Sequence, residues 1–195
     1  MHRPGETVRG FAILRVVTWR SLLIVAVLAA AGVLVFVIAK RRPETPVADL
    51  VAQFAQANKQ PSDTAFEIMD VTIDGLTKRS IAAQEQTRLT YHVTVPAHAR
   101  FRVAMALTPD AWARSSASVL FLIGVSDGRA YRNVQSVVIN PYAEPTDRRW
   151  HDVSVNLDEY AGLTIDLILN TRATVAPADL PGLLAVWGDP TLVSR

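Results

Sequence analysis

The sequence contains no cysteine. This absence excludes disulfide bonds, thiolate zinc sites, iron–sulfur clusters and cysteine nucleophiles. Aromatic residues are scarce, at 7% of the 195 residues, and charged residues account for only 19%. Half of the residues are hydrophobic, which excludes wholesale disorder and is sufficient for one ordinary folded domain with additional segments.

The excess of positive charge is confined to the N-terminal part of the chain. Residues 1–42 contain seven Lys and Arg residues and one acidic residue, whereas residues 43–195 contain thirteen basic and seventeen acidic residues. The larger part of the chain is therefore net acidic, although the whole chain has a formal net charge of +2. This distribution argues against nucleic acid as a partner of the main domain.

The longest apolar run, Ser21 to Ala39, contains no charged residue and no proline. A helix rising about 1.5 Å per residue over this run nearly spans a hydrocarbon core of about 30 Å. The run continues past the small residues at which a signal peptidase could cleave, so we predict an uncleaved single-pass anchor. Its small residues Ala26, Ala29, Ala30 and Gly32 would allow a second membrane helix to approach closely.

A short tail before the span and a large domain after it favour a cytoplasmic N-terminus and a periplasmic, extracytoplasmic C-terminal domain. We expect a cytoplasmic tail over 1–20, a transmembrane helix over 21–39, a partly helical linker over 40–64 and a folded domain over 65–195. The expected partners are the lipid bilayer of the inner (cell) membrane and other integral membrane subunits.

From Ala65 onward, hydrophobic and polar residues alternate, which is typical of strands with one side in a core. The alternation is clearest over 88–95, 100–107, 153–157 and 163–169, and Val119–Ile123 is uniformly apolar like a strand covered on both faces. No amphipathic helices separate these segments. The predicted fold class is mainly β: an antiparallel β-sandwich of the jelly-roll type, preceded by one transmembrane helix and a short linker helix.

Three segments, Trp150-His151-Asp152, Tyr160-Ala161-Gly162 and Trp187-Gly188-Asp189-Pro190, resemble the C-terminal half of a known group of domains. These are the jelly-roll, galactose-binding-like domains related to carbohydrate-binding modules, and the resemblance covers roughly residues 66–193. It implies core positions for the two tryptophans and a chain corner at the tyrosine. It also implies a binding or spacer role rather than a catalytic one.

The segment Gly124-Val125-Ser126-Asp127-Gly128 matches the nucleophile-elbow motif of hydrolases. Such an elbow requires a following helix, whereas residues 129–139 have the alternation of a strand. We therefore predict a β-hairpin with Asp127-Gly128 as its two-residue turn and no catalytic serine.

Metal sites and other cofactors are not predicted. The histidines His2, His92, His98 and His151 do not have metal-ligand spacing, and no nucleotide-binding motif occurs. Jelly rolls often bind a structural calcium ion, but the neighbouring acidic residues Asp152, Asp158 and Glu159 provide fewer than the six to eight oxygens that calcium prefers.

Two functions fit these features. The first is a non-catalytic accessory or structural subunit of a larger bacterial membrane complex, whether respiratory, photosynthetic, secretory or envelope-building. The alternative is a membrane-anchored carbohydrate-binding module for cell-envelope glycans. Sugar binding requires exposed aromatic rings, and Trp112, Tyr131 and Tyr142 are the candidates because they lie in or beside predicted loops.

The predicted anchor can be tested on the mature protein. If residues 21–39 are an uncleaved anchor, the membrane-extracted protein keeps its original N-terminus, and external protease releases the C-terminal domain from intact cells. Intact-mass measurement and N-terminal sequencing check this, and a mature chain that begins near Gly32 would contradict it.

Overall fold

The computed structural model describes residues 43–84, 86–114, 116, 118–173 and 185–195. The predicted span, with Ala26, Ala29, Ala30 and Gly32, lies outside these residues and stays a prediction. Among the described residues, no helix has the length and apolar character needed to cross a bilayer. The chain divides after Arg42, and residues 43–195 form a unit with its own hydrophobic core.

The described part of this unit is built mainly of β-strands. The strands are β1 (Thr45–Asp49), β2 (Asn58–Gln60), β3 (Phe66–Ile73), β4 (Leu76–Ala83), β5 (Gln86–Thr94), β6 (Ala99–Leu107), β7 (Val119–Ser126), β8 (Tyr131–Ile139), β9 (His151–Asn156), β10 (Thr164–Ala173) and β11 (Ala185–Ser194). Short helical elements connect some of them: α1 (Ala111–Arg114) and 3₁₀ turns at Phe54–Gln56, Asp63–Ala65, Pro145–Asp147 and Asp158–Tyr160.

The strands form two antiparallel sheets. Sheet A has the order β3-β4-β11-β6-β9, and β1 pairs with the last part of β11, beyond the end of β4. Sheet B has the order β2-β5-β10-β7-β8. Strands distant in the chain are neighbours in both sheets, as with β11 between β4 and β6. This arrangement confirms the predicted antiparallel β-sandwich of mainly β class.

The facing sides of the two sheets share one hydrophobic core. Trp187 of sheet A is fully buried, and its ring meets Phe121 of sheet B edge-on with ring centroids 5.0 Å apart. Leu89, Phe101 and Leu167 also lie in this core, which confirms the inner side predicted for their strands. Because both sheets contribute to it, the core holds them face to face.

A second hydrophobic cluster lies on the outer side of sheet A. It includes Trp150, whose Nε1 donates a hydrogen bond to the Leu76 carbonyl at 3.1 Å. The ring packs against Gly188 so closely that a side chain there would collide with it, and Ala104 and Ala106 of β6 belong to the same cluster. The expected burial of both tryptophans is therefore confirmed, but only Trp187 belongs to the main core.

The segment predicted as a partly helical linker is instead part of the sandwich. Thr45–Asp49 forms β1 on β11, Leu50 is fully buried in the main core, and Asn58–Gln60 forms β2 beside β5. Pairing with existing strands gives this backbone the hydrogen bonds that a helix would otherwise provide. The predicted linker helix is wrong, and the folded unit begins at Pro43.

Two finer predictions about strands also differ from the structure. Leu163, placed on an inward-facing strand by its spacing, is 48% exposed because β10 begins only at Thr164. Leu120 and Leu122 of β7 are half-buried, so the apolar run is fully covered on its inner side alone.

The chain corner predicted before β10 is confirmed: Gly162 has φ of +81°, and its N–H donates to the Val95 carbonyl at 2.8 Å.

The Trp187–Phe121 contact predicts a large loss of stability on truncation. Trp187→Ala removes a fully buried ring that joins the two sheets, and we expect it to lower the free energy of unfolding by about 3–5 kcal/mol. Urea unfolding of residues 43–195 measures this. Tyr142→Ala is the matched control, since Tyr142 is 55% exposed, and it should change stability by no more than about 0.5 kcal/mol.

Candidate functional site

The outer side of sheet B has mainly polar side chains in rows that cross several strands. Two adjacent rows run over β2, β5 and β10: Asn58–Thr90–Ile168 and Gln60–Arg88–Asn170. Along β5 these outward residues alternate with the buried Leu89 and Tyr91, as the sequence predicts. The core on one side of the sheet therefore determines which residues form this outer surface.

This surface contains an open cleft of about 380 Å³. Its lining, called the polar face below, consists of Asn58, Gln60, Arg88, Thr90, Ser126, Tyr131, Asp166 and Ile168. The residues come from β2, β5, β7, β8 and β10, so every strand of sheet B contributes. A cleft of this size lies within the range of about 300–1,000 Å³ that small ligands occupy.

Tyr131 provides the aromatic surface of the polar face. Its side chain is 48% exposed, and its ring lies over Gly124 of the neighbouring strand β7. A Cβ atom at Gly124 would collide with this ring. Glycine at this position therefore lets the tyrosine ring rest against the sheet backbone, where half of its surface stays open to a ligand.

The polar groups around the ring make some hydrogen bonds but keep free donors and acceptors. Arg88 Nε donates to Asn170 Oδ1 at 3.1 Å, and His92 Nδ1 lies 3.0 Å from Asp166 Oδ1. Within the described part of the chain, the Nη atoms of Arg88 and the hydroxyl of Thr90 make no hydrogen bond. Free donors and acceptors around one exposed ring are suited to a ligand that has both an apolar surface and several hydroxyl groups.

The three candidate aromatic residues occupy different surroundings. Tyr131 lines the polar face, whereas Tyr142 is exposed in the loop after β8, at the other end of that strand. The indole of Trp112 donates to the Leu107 carbonyl at 3.0 Å and packs against both hydrophobic clusters. Trp112 is thus a packing residue, because the short helix α1 that carries it folds back onto the sandwich.

The nucleophile-elbow segment forms a hairpin. Strand β8 follows β7, and the Ser126 hydroxyl accepts a hydrogen bond from the Gly128 N–H at 3.3 Å. The loop has four residues, Asp127–Ala130, in place of the predicted two-residue turn. Asp127 Oδ1 accepts hydrogen bonds from the N–H groups of Arg129 and Ala130, each at 2.9 Å, which holds the longer loop.

The histidines and acidic residues of the described segments are dispersed. No three His, Asp or Glu side chains in these segments come together in a way that could hold a metal ion. Asp152 pairs with Lys78 at 3.5 Å, and Glu159 pairs with Arg132 at 3.1 Å. His151 lies 3.5 Å from Asp147, and His98 lies in the β5–β6 turn.

Several residues of the polar face are absent from the sequence-based candidates. The amide side chains of Asn58 and Gln60 lie on a strand that the sequence pattern does not predict. Gly124, which lies under the Tyr131 ring, could have been identified from the sequence, since an isolated glycine within a strand indicates close approach of another group. Asp166 lies among alternating residues of β10, but only its pairing with Ser126 and His92 places it at the cleft.

No protein-family model matches this chain. A curated protein of Archaeoglobus fulgidus, described as uncharacterized, is 31% identical over 108 residues, which are 51% of this chain and 25% of that protein. The chain therefore spans about a quarter of the length of this relative.

Solved structures with a similar fold include carbohydrate-binding modules. CBM27-1 of Caldicellulosiruptor saccharolyticus, in complex with mannohexaose, has a TM-score of 0.50 and 9% identity, covering 78% of this chain and 97% of that chain. CBM51 from Clostridium perfringens GH95, in complex with methyl-galactose, has a TM-score of 0.47 and 13% identity, covering 77% and 92%. At 9% identity the likeness to CBM27-1 concerns the fold alone, and the resemblance to a carbohydrate-binding-module β-sandwich is confirmed at that level.

Proposed function

We propose that residues 43–195 form a non-catalytic carbohydrate-binding module that holds a neutral glycan on the polar face. The observation that carries this proposal is the half-exposed ring of Tyr131 over Gly124, at the edge of a cleft lined by amide, hydroxyl, guanidinium and carboxylate groups. The similar solved structure of CBM27-1, which is in complex with mannohexaose, supports the ligand class.

The chemistry of the polar face favours a neutral sugar. The apolar side of a sugar ring packs on Tyr131, and its hydroxyls bind the free Nη atoms of Arg88 and the side chains of Asn58 and Gln60. Arg88 and Asp166 carry opposite charges on the same face, so their fields partly cancel and neither a strongly anionic nor a strongly cationic ligand is favoured.

The apolar run over residues 21–39 bears on the cellular location of the proposed module. With residues 21–39 as an uncleaved anchor and the N-terminus in the cytoplasm, the module lies on the extracytoplasmic side, where envelope glycans are available. The accessory-subunit function and its membrane partners depend on this anchor alone, and the polar face gives the glycan-binding function the stronger support.

The aromatic contact can be tested with glycan arrays and titrations on the full-length protein in mild detergent. We expect the protein to bind a neutral glycan, and Tyr131→Ala to weaken binding about tenfold or more, because burying half of this ring contributes about 1–1.5 kcal/mol. Gly124→Ala should have a similar effect, since the added methyl displaces the ring. Tyr131→Phe should retain most of the affinity.

Tyr142→Ala is the matched control for this experiment. It removes the same residue type with a similar exposed fraction, 55% against 48% for Tyr131, from a loop outside the cleft. Its affinity should equal that of the wild type. A protein that binds no glycan, or one for which Tyr142→Ala removes binding and Tyr131→Ala does not, would contradict the proposed site.

A further inference from the structure

A second open cleft, of about 350 Å³, lies on the outer side of sheet A, on the side of the sandwich opposite the polar face. Residues of β4, β6, β9 and β11 line it. It is called the sheet-A cleft below, and the side chains that give it its chemistry are Lys78, Arg102, Asp152, Ser154 and Asp189. Its volume is near the lower limit of the range of about 300–1,000 Å³ that small ligands occupy, so it is suited to a compact molecule.

The Lys78 side chain forms one wall of this cleft. Small residues lie beneath it, because Gly188 of β11 pairs with Ala104 of β6, and Ala104 pairs with Asp152 of β9. A Cβ atom at Gly188 would lie 3.0 Å from the Lys78 Cδ atom, and the Lys78 Nζ lies 3.5 Å from Asp152 Oδ1. The lysine therefore extends from β4 across β11 and β6 to the edge strand β9.

An irregularity in β11 brings a second carboxylate to this wall. The pairing of β11 with β6 shifts between Gly188 and Thr191, and Asp189 lies in the shifted segment with φ of +45°. Its Oδ1 accepts a hydrogen bond from the Arg79 N–H at 3.1 Å, and its Oδ2 lies 3.7 Å from the Lys78 Nζ. Bulges of this kind redirect side chains, so Asp189 joins Asp152 beside the lysine.

This end of the cleft is net negative, with the two carboxylates of Asp152 and Asp189 beside the single ammonium group of Lys78. The distances of 3.5 and 3.7 Å from the lysine exceed the usual N–H···O hydrogen-bond length of about 2.7–3.2 Å. The Asp152 side chain is 76% exposed and the Asp189 side chain 53%. Both carboxylates therefore keep acceptor sites open for a cationic group.

The other end of the cleft carries positive charge from Arg102. Its Nη1 donates to Glu44 Oε2 at 3.0 Å, but Arg195 donates to the other oxygen of the same carboxylate, so two guanidinium groups share one anion. Within the described residues, the Nε and Nη2 of Arg102 and the hydroxyl of Ser154, its pairing partner on β9, make no hydrogen bond. A guanidinium group with open donors beside a hydroxyl is suited to bind a carboxylate.

From this separation of charge we propose that the sheet-A cleft binds a small zwitterion, a free α-amino acid. The ammonium group binds Asp152 and Asp189, and the carboxylate binds Arg102 and Ser154. Asp152 and Ser154 lie two residues apart along β9, so the two binding ends are about 7 Å apart at the backbone. Long side chains at both ends close this distance on a compact ligand. A molecule with only one of the two charges leaves one end of the cleft without its partner.

The test titrates the full-length protein in mild detergent with the common free α-amino acids. The α-amide and the N-acetyl form of the tightest binder are then compared with the amino acid itself. We expect the amino acid to bind and each analogue to bind at least about tenfold more weakly, because each lacks one charge-assisted contact. Isothermal titration calorimetry measures these affinities.

Two variants assign the charges of the ligand to the two ends of the cleft. Arg102→Gln should weaken binding of the amino acid about tenfold and leave binding of the α-amide, which has no carboxylate, unchanged. Asp152→Asn should weaken binding of the amino acid to a similar extent and leave binding of the N-acetyl form, which has no ammonium group, unchanged. Both residues belong to exposed ion pairs, so the thermal unfolding temperature should change little.

Arg132→Gln is the matched control for this experiment. The Arg132 side chain is 64% exposed, against 60% for Arg102, and it is likewise paired with a glutamate, but it lies on sheet B. This variant should bind the amino acid like the wild type. Tyr131→Ala should also bind it like the wild type, so the result does not depend on whether the polar face holds a glycan.

Three results would overturn the proposal: no α-amino acid binds, the analogues bind as tightly as the amino acid, or Arg102→Gln and Asp152→Asn both bind it like the wild type. Loss of amino acid binding in Arg132→Gln or Tyr131→Ala would place the ligand outside the sheet-A cleft and would also contradict the proposal.

Discussion

Burial of the facing sides of the two sheets is the constraint on which the rest of this structure depends. Trp187 and Phe121 meet at its centre, one from each sheet, and neither is exposed to solvent. Because side chains alternate along a strand, burying Leu89 turns Arg88 and Thr90 outward. A slip of one residue in the pairing of β5 would reverse this and place charges in the core, so the core also fixes the polar face.

On the outer side of each sheet an aromatic ring packs over a strand glycine, with different consequences. On sheet A the ring of Trp150 lies over Gly188, is 6% exposed and completes a hydrophobic cluster. On sheet B the ring of Tyr131 lies over Gly124 and remains 48% exposed, beside polar side chains. In each case a strand glycine lets a ring approach the backbone. The surroundings decide whether that ring stabilises the fold or remains available to a ligand.

The candidate site was only partly predictable. Periodicity identifies Arg88 and Thr90 as outward residues, and predicted proximity to a turn identifies Tyr131 as an exposed aromatic residue. The same reasoning selects Trp112 and Tyr142 equally, because the sequence does not show that the Trp112 indole folds back to the Leu107 carbonyl. The cleft joins strands separated by many residues along the chain, and no local pattern shows which strands become neighbours.

The sequence by itself determined the β class, the inner sides of β5, β6 and β10 and the hairpin at Ser126, because these follow from alternation and from local turn chemistry. Tertiary structure alone decided that residues 45–49 extend a sheet rather than form a helix, because the partner strand β11 lies at the other end of the chain. It also decided that the Tyr131 ring meets Gly124 and that the Trp150 ring meets Gly188. Such contacts join segments that are separate along the chain, and no local sequence pattern shows that they meet in space.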